Sequence, residues 1–240
     1  MIRTTKALLV ALAAALAVGC SGLPPKLDAS PAAMTKIRTI AVVRPPEAKT
    51  YAVLDLGPHV ASAFGLIGAL VLASDQNAKQ EKLTAALKGQ HAVPMSMLAD
   101  DIAADLAKRG FSAKVIDGGW VENDGEFKFD ATKVRSSADA ILVVEPRVVG
   151  FVLETSDTGF KPTITAVVTL LGNNHQNTLY RGYHACGWNN RFGSKDWKNS
   201  STNVTFADFD RVMEDPKKTA SLLNSAAILV AASVAEDLKQ

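Results

Sequence analysis

The feature that most constrains the fold is an unbroken apolar run at residues 140–144, which reads Ala-Ile-Leu-Val-Val. A strand with one face in water alternates apolar and polar residues, whereas a strand covered on both faces is apolar throughout. The run therefore predicts a central strand with packed layers on both sides. We expect this strand to be interrupted at Pro146, because proline has no N–H for a ladder, and to resume over residues 147–154.

Helix and strand patterns alternate before this strand. Strand patterns occur at residues 36–43 and 111–117, and a helical pattern with one apolar face lies between them at residues 96–109. We expect Ser96 to cap that helix and Gly110 to end it.

The C-terminal part of the chain predicts a hairpin and a long helix. Residues 163–171 and 178–188 are two strand patterns joined by turn-forming residues. The last helix is expected to begin with Asp215 as its cap and to run to about residue 238, with an apolar stripe for packing on a sheet. A short helix is predicted at residues 130–137.

The order of these elements predicts the fold class. It is α/β, with a mixed sheet of parallel and antiparallel strands and helices packed on at least one face. Residues 36–240 are expected to form a single domain.

The N-terminal residues have the pattern of a secretory signal peptide. Arg3 and Lys6 precede an uncharged apolar run at residues 7–19, and small residues lead to Cys20. The run is shorter than the roughly 20 residues that a membrane-spanning helix needs.

A Cys directly after small residues resembles the lipobox of bacterial lipoproteins. The resemblance implies that residues 1–19 are removed, that the Cys20 thiol receives a diacylglycerol, and that the new amino terminus is acylated. Ser21 rather than Asp follows the Cys, which in Gram-negative lipoproteins implies the outer membrane, here with the domain on the periplasmic face. Residues 20–35, rich in proline, are expected to be a lipidated tether that forms neither helix nor ladder.

Charge and cysteine content narrow the class of partner. Of 26 Lys and Arg residues, Arg3 and Lys6 lie in the leader, which leaves 24 basic residues against 24 acidic ones. This balance gives no reason to expect a nucleic-acid partner. With Cys20 lipidated, Cys186 is the one remaining cysteine, so no intramolecular disulfide forms, and we expect a buried thiol rather than a bond between chains.

The apolar segment at residues 57–74 has three possible interpretations. Small residues recur at every fourth position and share one helix face, where a second helix backbone can approach closely. The segment is a core helix, an oligomer contact or a membrane-contacting surface, and a polar helical extension follows it to Gly89. The small residues of this face are Ala61, Gly65, Ala69 and Ala73.

Candidate chemical groups are few. His184 and Cys186 would share a strand face, as a zinc or copper site requires, but a site needs about four ligands; the alternative is a half-buried histidine beside a buried cysteine. Asp100, Asp101 and Asp105 are interpreted as a solvated helix face rather than an acid–base pair. The sequence contains neither a Gly-x-Ser-x-Gly elbow nor a phosphate-binding loop. We therefore expect a protein that is not an enzyme and has no cofactor or metal.

The loop at residues 187–208 mixes aromatic and polar side chains, among them Trp188 and Trp197. Such a loop grips a partner or a glycan, or it is held against its own domain by the aromatic rings, and both interpretations remain open.

Three segments resemble a group of envelope lipoproteins. They are residues 97–117, residues 135–144, which read Arg-Ser-Ser-Ala-Asp-Ala-Ile-Leu-Val-Val, and the Ile-Ala-Val-Val of residues 40–43. The group shares the fold of the curli secretion lipoprotein and of the amino-terminal domain of the Tol-system β-propeller protein. The resemblance covers about residues 36–190 and implies a role in envelope assembly, regulation or secretion without catalysis.

The leading hypothesis is thus a non-enzymatic outer-membrane lipoprotein that acts in envelope assembly through protein partners or self-association. The alternative is a periplasmic module that binds a small molecule or a glycan.

Overall fold

A mixed β-sheet is the centre of the structure. The computed structural model describes residues 23–55, 65–154, 158–172, 177–187 and 197–239, with the backbone alone for 65–74. The seven-stranded sheet has the order β3-β1-β6-β7-β8-β9, and β2 pairs with the second half of β6. Its strands are β1 Thr39–Val43, β2 Ala52–Asp55, β3 Ser112–Ile116, β6 Ala140–Leu153, β7 Lys161–Gly172, β8 Thr178–Cys186 and β9 Trp197–Ser200.

The sheet contains both kinds of strand pairing. β1 is parallel to β3 and to β6. β2 is parallel to β6, and β9 is parallel to β8. The pairs β6–β7 and β7–β8 are antiparallel. A separate antiparallel hairpin consists of β4 (Trp120–Asn123) and β5 (Glu126–Phe129). The predicted fold class and the C-terminal hairpin are confirmed.

Helices cover one face of the sheet. The described helices are α1 Pro31–Met34, α2 Gly65–Gly89, α3 Pro94–Lys108, α4 Phe209–Met213 and α5 Pro216–Asp237. The larger core joins the even-numbered residues Ile40, Val42 and Leu142 of the central strands to apolar side chains of α2, α3 and α5. This is the two-layer packing that an α/β sandwich needs.

The opposite face is covered by the β4–β5 hairpin rather than by helices. Ala41, Val43 and Ile141 belong to a second core, against which Trp120 and Phe129 of the hairpin pack. The unbroken apolar run at residues 140–144 is explained by this arrangement, because its alternate side chains enter two different cores.

The last helix forms as predicted. The Asp215 carboxylate accepts a hydrogen bond from the Lys218 N–H at 3.0 Å, and Pro216 occupies the first turn. α5 is long and apolar enough to cross a membrane, but 56% of its most apolar stretch is buried inside the protein. It packs against α3, β7 and β8. Its predicted stripe is fully buried and consists of Leu223, Ala227, Val230, Val234 and Leu238.

The start of the helix at residues 96–109 was predicted wrongly. α3 begins at Pro94, so Ser96 lies inside its first turn and makes no cap. Glu47 supplies the cap from the loop after β1: its carboxylate accepts the Met95 and Ser96 N–H groups at 3.1 and 2.7 Å. A capping residue so distant in sequence has no local signature.

The predicted interruption at Pro146 is also wrong. β6 runs without a break from Ala140 to Leu153, and the register against β7 shifts between Pro146 and Val148. A β-bulge at this point accommodates Pro146, which has no N–H to donate to β7. The Val148 N–H donates to the Thr165 hydroxyl at 3.0 Å.

Two short segments differ from the prediction. At residues 130–137 the structure has only a 3₁₀ turn at Ala131–Lys133, which the Asp130 side chain caps through the Thr132 N–H. Within the segment predicted to avoid helix and ladder pairing, Leu27 pairs with Arg181 of β8 and α1 places Met34 in the core.

Candidate functional site

His184 lies in a buried network that joins β8 to α5. Its Nδ1 is 2.9 Å from Ser233 Oγ, and its Nε2 is 2.6 Å from the Tyr180 hydroxyl. The Tyr180 hydroxyl donates to Asp237 Oδ2 at 2.9 Å, and Lys198 of β9 donates to Asp237 Oδ1 at 2.7 Å.

The hydrogen bonds of the network fix the tautomer of His184. Tyr180 gives its one proton to Asp237, so the 2.6 Å contact requires Nε2–H of His184 to donate to the tyrosine oxygen. Nδ1 then carries no proton and accepts from the Ser233 hydroxyl. Every polar atom of the imidazole is thus paired.

The charges of the network follow from its burial. Burial lowers the pKa of His184 and outweighs the attraction of Asp237, so the ring is neutral at pH 7. Burial also raises the pKa of Tyr180, with a further increase from the Asp237 charge. For Asp237 burial acts to raise the pKa, but the hydrogen bonds from Lys198 and Tyr180 outweigh it and lower the value.

A Ser-His-Asp set of this kind resembles a catalytic triad only in its residue types. In a triad the serine is open to substrate, but here Ser233 and His184 are 6% and 0% exposed. Asp237 Oδ2 is 3.7 Å from Nε2, beyond hydrogen-bond distance, and the tyrosine hydroxyl bridges the two groups. The network therefore holds α5 on β8.

Cys186 is buried beside this network, and its thiol is expected to be unreactive. It is fully covered by the core, and burial raises the pKa of its thiol to about 11. A thiol that stays protonated is a poor nucleophile and a poor metal ligand. Among the described residues, no three His, Cys, Asp or Glu side chains come together as a metal site.

Two of the three acidic residues of α3 form ion pairs with basic side chains of the same domain. Arg44, directly after β1, makes a bidentate contact with Asp100 at 3.0 and 3.3 Å. Asp105 pairs with Lys108 at 2.7 Å on the exposed face. Asp101 is half-buried, and this burial, together with the charges of Asp105 and Asp100, raises its pKa.

A cleft lies at the carboxyl ends of β1 and β3. Its volume is about 660 Å³. Three segments form its walls: residues 46–52 after β1, the β4–β5 hairpin after β3, and residues 145–149 of β6, where parallel pairing with β1 has ended. No pattern in the sequence indicates this cleft.

The chain leaves β1 and β3 toward opposite faces of the sheet, and this divergence opens the cleft. After β1 the chain runs along the helical face, where Glu47 caps α3, and then enters β2, while after β3 it forms the β4–β5 hairpin on the other face. In open α/β sheets such a reversal at the strand ends is where ligands bind.

Charged side chains in the cleft are partly paired with one another. Arg147 donates to Glu145 at 2.9 Å, and the side chains are 46% and 36% exposed. Lys49 contacts Glu122 at 2.6 Å and lies 4.7 Å above the Phe127 ring. Trp120 lines the same cleft and stacks edge-on with Phe129 at 5.6 Å.

Several residues singled out from the sequence lie outside the described part of the chain. Cys20, Ala61 and Trp188 are in this group. Gly65, Ala69 and Ala73 belong to α2, where the structure describes the backbone alone. A continuous helix through these three positions places them on one face.

Trp197 is placed on the edge strand β9. It is half-buried, and its ring lies 5.6 Å from that of Tyr183 on the neighbouring strand. This contact favours the interpretation in which the aromatic side chain holds the loop to its own domain.

Comparisons with known proteins place little constraint on this chain. No family model and no curated protein matches it. Among solved structures, a DUF330-family protein from Xanthomonas campestris is 12% identical over 88% of this chain and 90% of its own, with a TM-score of 0.39. A variant of PelC from Paraburkholderia phytofirmans, crystallised as a dodecamer, is 10% identical over 90% and 96%, with a TM-score of 0.31. Similarity this low supports no statement about function, which must be argued from the chain's own residues.

Proposed function

We propose that this chain is a non-enzymatic lipoprotein of the outer membrane, anchored through Cys20, whose periplasmic domain acts in envelope assembly through protein partners or self-association. The observation that carries the proposal is the leader: two cations, a short apolar run and small residues that end at Cys20. The acyl chains would provide the stable anchorage that one lipid chain alone does not give.

The buried network supports a role without catalysis. Its serine, histidine and aspartate are of the residue types found in a catalytic triad, and all three are engaged in holding α5 on the sheet. The buried Cys186, with its raised pKa, is unsuited to act as a nucleophile.

Two cysteine variants test the anchor. Cys20→Ala removes the lipidated thiol and should move the protein from the membrane fraction to the soluble fraction of disrupted cells. Cys186→Ala is the matched control, because it removes a buried thiol elsewhere and should leave the protein in the membrane fraction. Membrane retention of Cys20→Ala would overturn the proposal.

A second pair of variants tests the choice of membrane. In lipoproteins of the kind that this leader resembles, Asp after the cysteine directs retention in the inner membrane. Ser21→Asp should therefore shift the protein to the inner-membrane band of a sucrose gradient, while Ser21→Ala should stay in the outer-membrane band. An identical distribution of both variants would contradict the assignment to the outer membrane.

A further inference from the structure

We propose that the cleft at the carboxyl ends of β1 and β3, beside the middle of β6, binds an uncharged carbohydrate. The inference is independent of the lipid anchor, because it rests only on the described residues that line the cleft. Its volume of about 660 Å³ lies within the roughly 300–1,000 Å³ of small-molecule sites.

The first observation is a gap in the sheet at this cleft. β1 pairs with β6 as far as Val143, and β2 begins to pair at Gly150 on the same side. Between these positions the backbone groups of β6 that face away from β7 have no strand partner among the described strands. Buried or half-buried backbone groups are normally paired, so this stretch offers both donors and acceptors to a ligand.

The second observation is a pair of charged side chains at the bulge near Pro146, which line the cleft. Bulges are common next to functional sites because they change the direction of a side chain. Glu145 and Arg147 lie at the bulge and line the cleft wall, with their side chains 2.9 Å apart. Arg147 uses one nitrogen for this contact, and its other N–H groups have no partner among the described residues. The pair therefore presents a free donor beside a free carboxylate oxygen, which suits neighbouring hydroxyl groups of a sugar.

The third observation is the balance of charge in the cleft. Three cations and three carboxylates line it, namely Lys49, Lys128, Arg147, Glu47, Glu126 and Glu145. Glu47 is engaged at the start of α3, and Lys49 is engaged by Glu122. A net charge of zero gives no attraction for an anion or a cation, and it favours an uncharged ligand.

Aromatic side chains complete the site. Trp120, Phe127 and Phe129 line the cleft beside these polar groups. A sugar ring has apolar C–H faces and polar hydroxyl edges, so it matches a wall that is aromatic in one part and hydrogen-bonding in another.

Tryptophan signals give a direct test. The chain has three tryptophans, so the protein labelled with [¹⁵N]tryptophan and held in detergent micelles gives three indole N–H signals in an NMR spectrum. Trp120→Phe assigns the signal from the cleft, and Trp197, on the distant edge strand, is an internal control. Maltotriose, cellotriose and triacetylchitotriose are the probes, and tetra-alanine is the comparison peptide.

We expect at least one trisaccharide to shift the Trp120 signal saturably while the Trp197 signal stays in place. Arg147→Ala should weaken this binding by about tenfold, since it removes charge-assisted hydrogen bonds. Glu145→Ala should also weaken it, and Lys108→Ala, which removes an exposed ion pair on α3, should change it less than about twofold. Unchanged thermal melting of the variants would show that they are folded.

Three results would overturn the inference. They are no saturable Trp120 shift with any of the sugars, a larger response to tetra-alanine than to the sugars, or equal weakening by Arg147→Ala and Lys108→Ala.

Discussion

At the scale of single residues, His184 depends on the side chains around it. Alternate residues of β8 face the helices, and among them Gly182 leaves room for the network: a Cβ there would lie 1.9 Å from the Tyr180 hydroxyl and 2.8 Å from His184 Nε2. The glycine, the tyrosine and the histidine therefore pack as one unit. This unit holds the polar imidazole inside the protein in a single geometry.

The neutral state of His184 predicts a pH dependence of stability. Its folded-state pKa is lowered, so between pH 7 and about 5 the unfolded chain, with a histidine pKa near 6.5, binds a proton that the folded chain does not. The free energy of unfolding should therefore fall as the pH falls through this window. Asp237, whose pKa is also lowered, contributes a loss only at lower pH.

Urea denaturation at a series of pH values measures this effect. His184→Gln should flatten the dependence between pH 7 and 5, even where it lowers stability at every pH. His91→Asn is the matched control, because His91 is exposed and its φ of 52° suits asparagine. An equal slope in His184→Gln and the parent protein would contradict the buried neutral state.

Sequence could predict only part of this site. The spacing of His184 and Cys186 correctly placed both on one strand face, and burial of Cys186 was confirmed. The partners Ser233 and Asp237 come from a helix that approaches from elsewhere in the chain, and their pairing depends on how that helix packs. His184 is also fully buried, rather than half-buried as expected, because Ser233 and Tyr180 satisfy its two ring nitrogens.

At the scale of elements, α5 carries the packing between the helical layer and the sheet. Leu223 is fully buried on its inner face, while Ile228 on the outer face is 44% exposed. Leu223→Ala should lower the free energy of unfolding by about 2–5 kcal/mol, because it leaves a cavity in the core.

The control for this prediction lies on the same helix. Ile228→Ala should change stability by less than about 0.5 kcal/mol, since it removes a side chain that is largely in water. Chemical denaturation of both variants gives the comparison. Equal losses would mean that the helix does not pack by the stripe that its sequence shows.

Elements with regular periodicity were predictable, whereas elements specified by distant contacts were not. α5 and the β7–β8 hairpin follow from apolar spacing and turn residues. The four-residue strands β2 and β9 are too short for a pattern and exist because β6 and β8 offer an edge. The cleft was not predictable for the same reason, because it too depends on contacts between segments distant in sequence. Its walls meet where the chain leaves β1 and β3 on opposite faces of the sheet.

At the scale of the whole molecule, self-association through the small-residue face of α2 remains a prediction. Gly65→Leu places a large side chain where a second helix backbone would approach. If copies meet there, sedimentation velocity should show smaller species for this variant than for the parent protein.

Ile67→Leu is the control, because it keeps an apolar side chain of similar size on a different face of the same helix. An unchanged sedimentation profile for Gly65→Leu would exclude this face as a contact between copies.

The central claim is that a lipid on one thiol attaches this α/β domain to a bilayer. Mass spectrometry of the amino-terminal peptide, taken from protein extracted from its native membranes, tests the claim most directly. The account predicts a peptide that begins at Cys20 and carries the added mass of a diacylglycerol and an acyl chain. A peptide that begins at Met1, or one that begins at or after Cys20 without lipid, would contradict it.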